Sequence, residues 1–144
     1  MTRRIGRLER QLCDIQGRLF ERSLTKDMDS PDFIHKYMKS KTCEHVDMPY
    51  DRLHWAGEEY ILEELSDESP VLSAGVRYCR DELYWIGYVY RYWHFLTCES
   101  SDDIYRQAPV ELMWDCYPGF HTLDVQMAID NLKELGRHQM GPSA

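Results

Sequence analysis

The feature that most constrains this chain is the run from residue 80 to residue 97, which holds Leu83, Tyr84, Trp85, Ile86, Tyr88, Val89, Tyr90, Tyr92, Trp93 and Phe95. Val, Tyr and Trp favour strands, but the run is long for a strand and lacks strict alternation. It also opens on Asp81-Glu82, an acidic pair that suits a helix N-terminus. The run is therefore expected as one buried, aromatic-rich central helix. Gly87 lies inside it at a cost of about 1 kcal/mol relative to alanine, so its presence implies that another helix approaches closely there.

The flanking segments also read as helices. Residues 3–25 place Ile5, Leu8, Leu12, Ile15 and Leu19 at alternating steps of three and four, a helix with one narrow apolar seam. Such a seam docks onto the body, pairs with a second copy to make a homodimer, or inserts in a partner's groove. Ser30-Pro31-Asp32 reads as a serine cap with proline at the first helical position, starting a helix that runs to about Lys41 and buries Phe33, Ile34, Tyr37 and Met38. Pro49-Tyr50-Asp51 leads into a helix over roughly 51–66, and the polar stretch 66–76, with Pro70 and Gly75, is expected as a mobile loop.

Ser100 with Asp103 loosely matches a capping box for a short helix over 102–107. Another short helix opens at Pro109 and ends before Pro118-Gly119. Asp124 caps a last one over 125–135, closed by Gly136. The fold class expected is all-α: a single helical domain of about six or seven helices over residues 1–138, with a frayed tail at 139–144. Length and composition agree, since 144 residues with four Trp and ten Tyr are enough to bury a core without disulfide or metal staples.

Five cysteines, Cys13, Cys43, Cys79, Cys98 and Cys116, form an odd set with no CxxC pair, which suits reduced thiols and a cytoplasmic location. No apolar run of signal-peptide length follows the arginine-rich start, and no stretch reaches the ~18 apolar residues of a membrane span. Residues 1–26 hold seven basic and three acidic side chains, whereas the remainder holds ten basic and 22 acidic. An acidic body argues against broad contact with a phosphate backbone, leaving only the basic first helix to touch DNA. The loose helix-turn-helix over 99–119 has Glu111 and Asp115 but no Arg or Lys in its reading helix, 109–117, which ill suits a major groove.

Few residues cluster as chemistry requires. Cys43 and His45 lack two further ligands for zinc, so no metal and no cofactor is expected. His54 with Glu58 or Glu59 offers an acid–base pair at helical spacing, the footing for an alternative reading as a small enzyme that reverses or processes a modification. Glu58, Glu59, Glu63, Glu64, Asp67 and Glu68 meet no Lys or Arg between positions 53 and 76, which makes either a solvated face or a surface complementary to a basic partner. Tyr84, Tyr88, Arg91 and Tyr92 fall within two turns, and such residue types concentrate binding energy at interfaces.

Several long words carry a family resemblance: Ile15-Gln16-Gly17-Arg18-Leu19-Phe20-Glu21, Tyr50-Asp51-Arg52-Leu53-His54-Trp55-Ala56-Gly57-Glu58-Glu59-Tyr60, Leu83-Tyr84-Trp85-Ile86-Gly87-Tyr88-Val89-Tyr90-Arg91-Tyr92-Trp93, Glu99-Ser100-Ser101 and Gly119-Phe120-His121-Thr122-Leu123-Asp124. Across about residues 12–133 the chain resembles a family of small bacterial proteins classed as antitoxins or left uncharacterised. Members of that family are encoded beside proteins resembling ADP-ribosyltransferases, so the resemblance implies a protein that binds and neutralises such a cognate toxin, and no enzyme activity is expected. The expected contact residues are Glu58, Glu59, Glu63 and Glu64 with Tyr88, Arg91 and Tyr92.

Overall fold

The computed structural model describes residues 5–140, the side chains of residues 139 and 140 excepted. Among these residues the chain forms eight α-helices: α1 (Arg7–Arg22), α2 (Ser30–Met38), α3 (Lys41–Asp47), α4 (Glu58–Glu68), α5 (Arg80–Thr97), α6 (Ser101–Gln107), α7 (Val110–Phe120) and α8 (Val125–Met140). Ser23–Lys26 and Arg52–Trp55 are single 3-10 turns. The described residues contain no strand beyond one isolated bridge between Met28 and Ser73. None of their helices is long and apolar enough to cross a membrane.

The most extensive contact is between α1 and α5, and two glycines make it possible. A Cβ placed on Gly87 would lie 2.7 Å from the Gln16 carbonyl oxygen, and one on Gly17 would lie 2.7 Å from the Tyr84 ring. The close approach inferred from Gly87 is thus met by a small residue on the facing helix. It also turns α1 about its axis. Its buried face is Cys13, Gln16, Gly17, Leu19 and Phe20, while Leu8 is 56% exposed and Leu12 and Ile15 are half-buried. The Leu/Ile seam is therefore only partly absorbed, because the glycine side is the one that lets the backbones meet.

Around this contact α2 packs a ring cluster. Phe20 meets Phe33 and Tyr37 edge-on at 5.2 and 5.5 Å, and Phe33 stacks on Tyr37 at 5.9 Å. All three are fully buried, each stabilising the fold by about 1.5–3 kcal/mol through apolar area removed from water. The four residues expected to be buried on α2, Phe33, Ile34, Tyr37 and Met38, are all interior.

Several local expectations are corrected. The cap of α2 is Asp29, whose carboxylate accepts the Asp32 amide at 2.8 Å, with Ser30 already helical. Helix α3 was not foreseen; Ser40 caps it, and Glu68 reaches from α4 to accept the Lys41 and Thr42 amides. The helix expected over 51–66 is two elements, since Gly57 takes φ +95°, a left-handed value that ends the 3-10 turn and lets α4 begin anew at Glu58. Helix α4 then runs to Glu68. The loop beyond it is held rather than loose: Asp29 accepts the Val76 amide, Asp32 accepts the Leu72 amide, and the Asp29 and Ser30 amides donate to Leu72 and Val76 carbonyls.

Two stops expected near the C-terminus are also overrun. Pro118 lies inside α7, where it removes one amide donor from the last turns without ending the helix. Helix α8 passes through Gly136, where a Cβ would meet the Gln107 carbonyl at 2.5 Å, so this glycine serves packing against α6 rather than termination. Residues 139 and 140, expected in the frayed tail, belong to α8, while 141–144 lie outside the described residues, as do positions 3 and 4 of the expected first helix.

Candidate functional site

The interior holds a polar network centred on Arg91. Its guanidinium is 1% exposed and donates to Asp47 Oδ1 at 2.6 Å, and from Nε and Nη2 to Gln16 Oε1 at 3.0 and 2.8 Å. Tyr37 donates to the same Gln16 oxygen at 3.0 Å, and Gln16 Nε2 donates to the Gly87 carbonyl at 2.9 Å. Asp47 also accepts the Ser101 hydroxyl at 2.6 Å and the Ser101 amide at 2.9 Å. His94 places Nδ1 2.6 Å from the Glu99 carbonyl and Nε2 3.1 Å from the Asp47 carbonyl. The network therefore joins α1, α2, α3 and α5 to the start of α6.

Its electrostatics favour holding over reacting. Burial opposes the Asp47 charge, but the Arg91 guanidinium and the Ser101 donors outweigh it and keep the carboxyl below its usual value. Burial pushes the Cys43 thiol up to about 11 and the Cys13 thiol up to about 12, with Arg91 only partly offsetting either, so neither supplies a thiolate near neutrality. His94 is lowered by burial and by Arg91. Every buried side-chain nitrogen and oxygen among the described residues has a partner. The neighbouring cavity, lined by Leu12, Ile15, Leu53 and His54 among others, measures about 20 Å³, room for one water and no substrate.

Arg91 is accordingly corrected as a surface contact residue: it is 1% exposed and faces the core. Tyr88 and Tyr92 do lie on the outer side of α5, half-buried, in a ladder with Tyr84 at ring spacings of 5.9 and 6.2 Å. The cation whose charge reaches both Tyr88 and Tyr92 is Arg10 of α1. Reading along one helix missed it, because an aromatic run shows neither which face turns inward nor what a second helix brings alongside.

The acidic residues of α4 separate by role. Glu59 pairs with Lys26 at 2.8 Å and Arg22 at 3.7 Å, fastening α4 to the end of α1 and its 3-10 turn. Glu68 caps α3. Glu58 and Glu63 make no ion pair among the described residues, and Glu64 borders a groove with Asp67. His54 is buried in the 3-10 turn with Nε2 2.8 Å from the Val46 carbonyl, and Gly57 separates it from the helix that carries Glu58 and Glu59. The shared helix on which an acid–base pair depended does not exist. Cys43 and His45 diverge, the thiol buried and the imidazole exposed 3.4 Å from Asp51. Among the described residues no group of three or more His, Cys, Asp or Glu is placed to hold a metal ion.

The opposite of the sealed interior is the surface between α3 and α4. Tyr50 is 97% exposed at φ +63°, Trp55 60%, Met48 48% and Tyr60 38%. Four of the ten large apolar side chains exposed among the described residues come from the span 48–60. Beside them opens a groove of about 720 Å³ bordered by Lys41, His45, Tyr50, Arg52, Glu64 and Asp67. The 3-10 turn that presents it is held by Asp51, which accepts the Leu53 amide at 2.9 Å; that bond, followed by His45, holds the carboxyl below its usual value. The signal available in the sequence was Tyr50 and Trp55, two large aromatics that fall off the stripe of Leu53, Ala56, Tyr60 and Leu65. Compared with protein-family models, curated proteins and solved structures, the chain matches none.

Proposed function

We propose that this chain is an antitoxin-like inhibitor that binds a cognate toxin by direct protein contact and covers its working cleft. The observation that carries this reading is the exposed aromatic and acidic surface from Met48 to Asp67, built on a scaffold whose buried polar groups are already engaged with one another. Tyr and Trp anchors supply contact area at small entropic cost, and surrounding carboxylates steer a basic partner. A toxin of the ADP-ribosyltransferase kind, as the family resemblance implies, would act on an anionic substrate, and an acidic surface is complementary to a cleft built to hold one. Glu58, Glu63 and Glu64 then belong to the contact, with Tyr88 and Tyr92 forming a second aromatic surface on α5. The enzymatic alternative is less favoured, since His54 lies in the 3-10 turn while Glu58 and Glu59 open the next helix.

Co-expression with the product of the neighbouring gene tests this. The expected result is a stable complex that survives chromatography at physiological salt and weakens as salt rises. Absence of any complex under those conditions overturns the proposal.

A further inference from the structure

We infer that the groove between α3 and α4 receives a basic segment of the protein partner, one Lys or Arg side chain lying against Tyr50 and answered by Glu64 and Asp67. This rests on the reading that the chain binds a protein. The groove carries four carboxylates, Asp51, Glu64, Asp67 and Glu68, against two permanent cations, Lys41 and Arg52. Two of those carboxylates are occupied: Asp51 accepts the Leu53 amide and faces His45, and Glu68 accepts the Lys41 and Thr42 amides and the Thr42 hydroxyl. Glu64 and Asp67 make no ion pair among the described residues, while Arg52 leans toward the Tyr60 hydroxyl at 3.4 Å and feels the Glu64 charge. The groove thus has acceptors left over for an added cation.

Tyr50 supplies the second half of the match. Its ring is almost wholly in water, on a backbone at φ +63° that bulky residues seldom adopt, so folding alone gains little from placing it there. A cation over a tyrosine face is attracted by the ring quadrupole, more so once a partner excludes water. A volume of about 720 Å³ admits a few side chains of a segment and falls within the range of ordinary binding clefts. A nucleic acid is disfavoured, because the groove's net charge repels phosphate.

The test uses the full chain with two probes, the neighbouring gene product and a triarginine peptide, and compares wild type with Tyr50→Ala and with Glu64→Gln combined with Asp67→Asn. Each variant is expected to keep the wild-type unfolding midpoint. Each is also expected to weaken the protein complex about tenfold or more, the loss typical of an interface anchor. Peptide-induced NMR shifts should centre on Tyr50, Glu64 and Asp67, and a triglutamate peptide should produce none. If the wild-type complex forms and both variants bind within about twofold of it, a change too small for an anchor, the groove inference is overturned while the proposed function stands. If no complex forms, the proposed function fails and the peptide shifts alone decide the groove: a pattern centred elsewhere, or none, overturns it. A concentration-dependent dimer abolished by Tyr50→Ala likewise overturns it, by making a second copy the occupant.

Discussion

Two sides of α3 behave in opposite ways. Toward α1 and α5, its Asp47 and Cys43 enter a closed polar network around Arg91 in which donors and acceptors are matched. Toward α4, the same helix borders an open groove with an almost fully exposed tyrosine and with Glu64 and Asp67, which make no ion pair among the described residues. Burial makes the difference. A charge out of water must be paired or it unfolds the protein, so the inner side was filled by the chain itself. A charge in water costs little unpaired, so the outer side is free to be matched by something else.

The largest effect is expected on the inner side. Arg91→Leu leaves the largely, though not wholly, enclosed Asp47 without its counter-charge and should cost about 3–5 kcal/mol in urea unfolding. Removing both charges, Arg91→Leu with Asp47→Leu, should cost clearly less than the two single losses added together, since the partners interact directly. A loss below about 1 kcal/mol for Arg91→Leu, the size of a surface ion pair, would dissolve the contrast between the two sides.

Next is the helix contact that encloses the network. Gly87→Ala adds a Cβ 2.7 Å from the Gln16 carbonyl, and overpacking of this kind costs about 1–3 kcal/mol even though alanine is the better helix former. An unchanged or raised unfolding midpoint would show that α1 and α5 have room to separate.

Acid should expose the inner side before the outer. His94 titrates below its ordinary 6.5, so as pH falls the unfolded chain takes up the proton first, and stability present above 6.5 declines below it. Asp47 titrates below its ordinary 3.8, so its contribution is present above 3.8 and is lost as pH drops further. The unfolding midpoint should therefore be level between about pH 7 and pH 8, sag below about pH 6.5 and fall again below about pH 4, and His94→Gln should flatten the first step. A midpoint that does not fall between pH 7 and pH 5 would contradict the assignment.

The smallest effect on stability belongs to the outer side. Tyr50→Ala should leave the midpoint where it is, and Tyr50→Gly, which suits the positive φ, should not lower it. A marked loss in either would mean that the tyrosine serves the fold and would blur the comparison from the other direction.

The legible parts of this structure are those with local causes. The bounds of α5, Arg80–Thr97, follow from its length and acidic opening, and the buried face of α2 from its spacing. Ser100 caps α6 as its position suggested, accepting the Asp103 amide at 3.1 Å. Helix α3 escaped because its cap, Ser40, fell inside the helix expected to run to about Lys41, and Gly57 hid a break because glycine is also tolerated inside helices. Of the expected contact residues, Glu63 is exposed and Glu64 lines the groove, but Arg91 is interior and Glu59 is already paired. The groove itself was invisible, since Lys41 and Tyr50 approach Glu64 and Asp67 only after the chain has turned twice.

The sequence by itself determined that the described chain is helical and roughly where its helices lie, because caps, breakers and apolar spacing act within a few residues of one another. Tertiary structure alone decided which way α5 faces. Arg91 points inward because Gln16, 75 positions away, and Asp47, 44 positions away, converge to receive it, and the ring of Tyr50 points outward because nothing does. Helix hydrogen bonds are local and leave a trace in adjacent residues, whereas the pairing of a buried charge is settled only by what packing brings to it.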